Sequence, residues 1–77
     1  MKDLLISIAS GLVENPSEVK VVVDEPNEAG VTVYHLQVAE NDVGRVIGKQ
    51  GRIAKAIRTV VRAAANRNNQ QVAVEID

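Results

Sequence analysis

The stretch Val46-Ile47-Gly48-Lys49-Gln50-Gly51-Arg52-Ile53 decides how the rest of this 77-residue chain is read. Two glycines stand three residues apart, an apolar pair precedes them, and Ile53 follows. A glycine at each end of a four-residue turn lets the backbone bend sharply and lets another backbone approach with no Cβ in the way. Between them, Lys49 and Gln50 bring one positive charge and one amide, and no acid. Gly51 opens a helical pattern, and the free N–H groups and positive dipole end of a helix attract anions. The stretch therefore predicts a phosphate-facing turn with a cation beside it. The alternative is a tight helix–helix turn whose glycines serve geometry alone. That alternative leaves unexplained why Arg45, Lys49, Arg52 and Lys55 crowd one spot, where like charges repel unless something binds between them.

Downstream, Gly51 to about Asn66 is strongly helical in pattern. Ile53, Ile57, Val60, Val61 and Ala64 form an apolar stripe, while Arg52, Lys55, Arg58, Thr59 and Arg62 form a mainly cationic one. Asn66-Arg67-Asn68-Asn69-Gln70 reads as a polar loop, and Val72, Val74 and Ile76 alternate as a final strand. Upstream, Asn41-Asp42 is a helix N-cap signal, and Val43 to Ile47 supplies one or two helical turns. Val31 to Ala39 is a strand with Tyr34, Leu36 and Val38 on one face and Val33, His35 and Gln37 on the other. Pro26-Asn27-Glu28-Ala29-Gly30 is a turn, and the valine-rich run from Glu18 to Glu25 is the antiparallel partner strand. Residues 3–14 are expected to be a helix, with Leu4, Leu5, Ile8, Ala9 and Leu12 on its apolar stripe and Asn15-Pro16 ending it. The order is α-β-β-α-α-β: an α+β fold in which a three-stranded sheet carries three helices on one face, as a single domain over 1–77.

Charge is segregated along the chain. Residues 1–43 hold two lysines against eight acids, residues 44–67 hold seven cations and no acid, and residues 68–77 add two acids. The net charge of −1 conceals this, and the +7 segment points to an anionic partner; the bland alternative is a solvated helix face. Cysteine is absent, which excludes disulfides and thiolate metal sites and allows a reducing compartment. No signal peptide is read in the short apolar run Leu4 to Ile8, and no run approaches the roughly 18 apolar residues of a membrane span. His35 has no neighbouring ligand motif, Glu40 and Asp42 read as loop and N-cap rather than a catalytic pair, and no nucleophile triad or zinc-hydrolase spacing occurs. The chain is read as neither an enzyme nor a cofactor or metal protein. A nucleotide-hydrolase phosphate loop needs four residues between its glycines and then Lys-Ser/Thr. Gly44 to Gly48 is one residue short and Gln50 stands where the hydroxyl belongs.

With these residues in view, the stretch 46–53 resembles the signature of the KH (K-homology) family, and the α-β-β-α-α-β order resembles its type II version. The run from Gly48 through Ala65 is similar to the small bacterial single-domain members of the KhpA (YlqC) family. The resemblance implies single-stranded RNA binding, as an RNA chaperone or post-transcriptional regulator of the cytoplasm, with links to cell elongation and division. It further implies a homodimer and a larger multidomain KH partner (KhpB, or Jag), with no role at a membrane. Carried over by position, Gly48 and Gly51 admit the phosphates, Lys49 and Gln50 supply a charge and hydrogen bonds, and Ile47 and Ile53 help form an apolar floor under the bases, with Val46 beside Ile47 an apolar group at the base of the turn. Arg45, Arg52 and Lys55 join this candidate site on charge and spacing alone.

Composition bears on the mode of binding. Tyr34 is the only aromatic residue, so a stacking platform, at about 1–3 kcal/mol per base, is excluded. One domain is therefore expected to bind weakly and to gain from a second copy or partner through effective concentration. The competing expectation is a protein-docking module with vestigial RNA binding. Reversing charge at the turn, Gly48→Asp with Lys49→Asp, is expected to abolish RNA binding and leave the fold intact.

Overall fold

The computed structural model describes residues 1–76. Helix α1 spans Lys2–Ser10, strand β1 Lys20–Val23, strand β2 Val31–Gln37, helix α2 Val43–Ile47, helix α3 Arg52–Arg67 and strand β3 Gln71–Ile76. Short 3₁₀ turns at Pro16–Glu18, Glu40–Asp42 and Lys49–Gly51 join them. The sheet order is β1-β2-β3, with β1 antiparallel to β2 and β2 parallel to β3. This is the mixed three-stranded sheet, α-β-β-α-α-β order and α+β class expected of a type II KH fold.

One core explains the element order. Leu5 and Ala9 of α1, with Ile57, Val61 and Ala65 of α3, pack on Val21, Tyr34, Leu36, Val72 and Val74 of the sheet. The register puts Val21 beside Leu36 and Tyr34 beside Val74, so each inward row meets the helices. Burying a side chain of this kind contributes about 1.5–3 kcal/mol. The other sheet face has no helix over it and carries Val22, His35 and Glu75 in one row. His35 bonds there to Asp24 at 2.8 Å.

Several boundaries differ from expectation. α1 ends at Ser10, not at residue 14. In a longer helix the Glu14 N–H would donate to Ser10. Instead the N–H groups of Glu14 and Asn15 each donate to the Asp42 carboxylate at 3.1 Å. β1 begins at Lys20 because Pro16–Glu18 forms a 3₁₀ turn. β2 stops at Gln37, and the Ala39 carbonyl accepts the Asp42 N–H at 2.8 Å to start the next 3₁₀ turn. α3 runs through Arg67, taking in the first two residues of the expected loop, Asn66 and Arg67. Its buried line is Ala54, Ile57, Val61 and Ala65. Val60, expected in that line, is 48% exposed because it lies a helical step round from Ile57 and Val61.

Asp42 corrects a finer expectation. It occupies the N-cap position of α2, but its side chain makes no capping bond. The carboxylate is fully buried and turned to the segment after α1. It accepts the Glu14 and Asn15 N–H groups and the Asn15 Nδ2, each at 3.1 Å, and the Arg45 Nε lies 3.4 Å from Oδ1. Burial pushes its pKa up from the ordinary 3.8, but the Glu14 N–H, the Asn15 amide and N–H, and the Arg45 charge outweigh burial and hold it lower. A carboxyl lowered by folding adds stability above its unfolded pKa, lost as pH falls through the folded value. Asp42→Asn is thus expected to lower the urea midpoint at pH 7. Its deficit relative to wild type should shrink as pH drops below about 4. A deficit unchanged down to pH 2.5 would contradict this role.

Candidate nucleic-acid interface

The glycine turn sits where α2 hands over to α3. α2 is five residues long, and its inward residue, Val46, is fully buried. Gly48 ends it at φ 76°, Gln50 follows at φ 58°, and Gly51 caps α3 at φ 73°. Three positive φ values in four residues turn the chain back within one 3₁₀ turn, closed by Gly51 N–H donating to Gly48 O at 3.2 Å. Only glycine adopts such angles without strain, and Gln50 pays a modest conformational cost.

The two glycines do different work. A Cβ at Gly48 would lie 2.9 Å from both Cβ and N of Ile53, with Ile53 Cγ1 closer still. Gly48 therefore makes room for Ile53 inside the protein. A Cβ at Gly51 would meet nothing within 4 Å. Its bare face opens to the outside, where a ligand backbone can approach. This corrects the expectation that Gly48→Asp spares the fold: any side chain at Gly48 drives into Ile53.

The cations also divide. Lys49, Arg52 and Lys55 are exposed and in no ion pair among the described residues. They surround the start of α3, which no side chain caps. Arg45, one turn upstream, is already engaged: its Nη2 donates to Glu14 Oε1 and its Nε faces Asp42. Arg58 donates its Nε to the Val74 carbonyl at 3.1 Å, fastening α3 to the outer edge of β3. Of the candidate residues, the structure gathers Gly48, Lys49, Gln50, Gly51, Arg52 and Lys55 about one turn. Ile47 and Ile53 are half-buried at its base, while Val46 supports it from the core.

Beside Ile53 runs an apolar groove of about 370 Å³ between α1 and α3. Leu4, Ile8 and Leu12 form one wall, and Ile53, Ala56 and Val60 the other. Sequence reasoning assigned several of these to the core. Two helices whose stripes are wider than the sheet they cover leave such a groove, but the i, i+4 pattern alone does not say which edge of a stripe is covered. No helix of the described residues is long and apolar enough to cross a membrane, and no group of three or more His, Cys, Asp or Glu among them is placed to hold a metal ion.

The chain has clear relatives. It is 54% identical over 76 residues to the RNA-binding protein KhpA of Clostridium acetobutylicum, covering 99% of both chains. It is 47% identical to the RNA-binding protein KhpA of Listeria monocytogenes, covering 99% of this chain and 97% of that one. Among solved structures it resembles Era in complex with MgGDPNP and nucleotides 1506-1542 of 16S ribosomal RNA. That likeness has a TM-score of 0.70 at 24% identity and covers 97% of this chain but 28% of that one, so it bears on the fold alone. A family model described as "KhpA/KhpB, KH domain" matches residues 2–76. With that match over nearly the whole chain and relatives of about half-identical sequence, the chain belongs to the KhpA/KhpB KH-domain family, a family of RNA-binding proteins rather than enzymes.

Proposed function

We propose that this protein binds single-stranded RNA without catalysis, gripping the sugar–phosphate backbone at the Gly48–Gly51 turn. The observation that carries this is the open face of Gly51 at the uncapped start of α3, ringed by Lys49, Arg52 and Lys55. Phosphate oxygens there meet backbone N–H groups, the positive end of a 16-residue helix, and three unpaired cations. The half-buried Ile47 and Ile53 offer aliphatic contact to the bases. Arg45 contributes less than its charge suggests, since Glu14 and Asp42 already neutralise it. Relatives named RNA-binding proteins support the same reading. Its setting is the cytoplasm, where a binder of this kind acts as an RNA chaperone or post-transcriptional regulator.

Self-association belongs to the same proposal. A fully apolar groove with Val60 half-exposed on its rim suits a second copy of the chain, or a larger KH partner of the KhpB kind, better than it suits solvent. Two linked copies raise the effective concentration of a weak single site.

Three experiments test these points: RNA titration, sedimentation and denaturant unfolding. Fluorescence anisotropy with a labelled single-stranded RNA should give a slope of log K against log salt of about −2, for three neutralised phosphates. Lys49→Asp with Gln50→Asp, which spares Gly48, should lower affinity at least tenfold with an unchanged melting temperature. Unaltered affinity in that variant would refute the glycine-turn grip. In sedimentation, Val60→Asp should shift the protein to monomer, and an unchanged oligomeric state would refute the groove as its interface. Gly48→Ala should cost roughly 2–4 kcal/mol of stability through its clash with Ile53, against about 1 kcal/mol for Gly51→Ala.

A further inference from the structure

A second concavity, of about 450 Å³, lies at the far end of α3 from the glycine turn. Thr32 and Tyr34 of β2 line it from the sheet, Asn69, Gln70 and Gln71 from the segment that leads from α3 into β3, and the β1–β2 loop closes it. No charged side chain lines it. Phosphate, carboxylate and metal ions would find no countercharge there. Tyr34 is only 8% exposed, yet its hydroxyl has no hydrogen-bond partner among the described residues and is not sealed from solvent. It therefore opens into the cavity that Tyr34 lines. The side chains of Thr32, Asn69, Gln70 and Gln71 likewise make no hydrogen bond to a described residue. Two hydroxyl-bearing and three amide-bearing residues thus line one uncharged space, their side chains free of hydrogen bonds to the described residues.

We infer that this cavity is a nucleobase pocket, reading the edge of a base by hydrogen bonds from the amides and the Tyr34 hydroxyl. A carboxamide presents a donor and an acceptor side by side, which is the pattern that base edges match. The volume falls within the roughly 300–1,000 Å³ of small-ligand pockets. The base is one belonging to the RNA strand held at the glycine turn, so the inference rests on the function proposed above. α3, 16 residues long, separates the two sites by about 24 Å. That is about seven nucleotides at the stacked rise of about 3.4 Å, and fewer for an extended strand. A strand gripped at Gly51 can reach the pocket only if it is longer than the four nucleotides of the grip.

The test has two arms. In the first, anisotropy compares four- and twelve-nucleotide single-stranded RNAs of mixed sequence on wild type, Tyr34→Phe and Gln70→Ala. Tyr34→Phe keeps the packing and removes only the hydroxyl, and Gln70 is exposed, so both should fold. Each is expected to weaken the twelve-mer about fivefold, leave the four-mer unchanged, and leave the salt slope unchanged, since no phosphate contact is lost. In the second, amide NMR shifts are followed with free adenosine and cytidine at millimolar concentration, which needs no phosphate grip. Shifts at Thr32, Tyr34 and Gln71 that are absent in Tyr34→Phe support the pocket. Those shifts without length dependence would keep the nucleobase site and make a free nucleoside its ligand. If wild type bound no RNA of either length, the glycine-turn reading would fail while the nucleoside arm still judged the pocket. No nucleoside shifts together with equal twelve-mer affinity in all three proteins would overturn it.

Discussion

A carboxylate without exposed surface keeps its charge only through the groups bonded to it. Asp42 is such a group, and the placement of the glycine turn depends on it. α2 has only five residues, too few to be stable alone. Its position is set by burial of Val46 below and by Asp42 at its start, which draws in two backbone N–H groups from a segment 27 and 28 residues away. α1 closes at Ser10 with the Leu12 N–H donating to the Ala9 carbonyl, and the Asp42 contact holds the segment that follows, since Glu14 and Asn15 cannot donate both to Asp42 and to helical carbonyls. One buried charge thus ties the segment after the first helix to the start of the second, and with it the point where Gly48 emerges.

Below the turn, Gly48 and Ile53 interlock, and above it Gly51 is bare. The turn is rigid on its inner side and accessible on its outer side, the arrangement a backbone-gripping loop needs. Electrostatics follow the same division. Arg45 and Arg58 are spent on Glu14 and on the Val74 carbonyl, so the exposed positive field near the turn comes from Lys49, Arg52 and Lys55. A chain of net charge −1 can attract a polyanion because its acids lie in other segments and three of its unpaired cations, Lys49, Arg52 and Lys55, gather at one helix start.

The parts of this fold legible in the sequence are those governed by neighbours in the chain. The valine-rich strands, the Asn- and Gly-containing hairpin loop, the two-glycine turn and the amphipathic α3 all follow from local periodicity and turn chemistry. Asp42 was legible as an N-cap position but not as a tertiary anchor, because its partners stand nearly 30 residues upstream and carry no pattern of their own. For the same reason the charge count overstated Arg45, whose partner Glu14 is 31 residues away. Val60 shows another limit. A wide apolar stripe predicts that a helix is covered, while the width of its neighbours decides how much of the stripe stays open. The pocket at Tyr34 joins residues from three separate segments, and a run of Asn and Gln reads simply as a loop until the sheet beside it is in place.

The most direct test of the central claim is an amide NMR titration of the whole protein with a short single-stranded RNA. The largest shifts are expected on Gly48 to Lys55, with Gly51 and Arg52 foremost. Shifts confined to the uncovered sheet face around Val22 and Glu75, or none at saturating RNA, would contradict it.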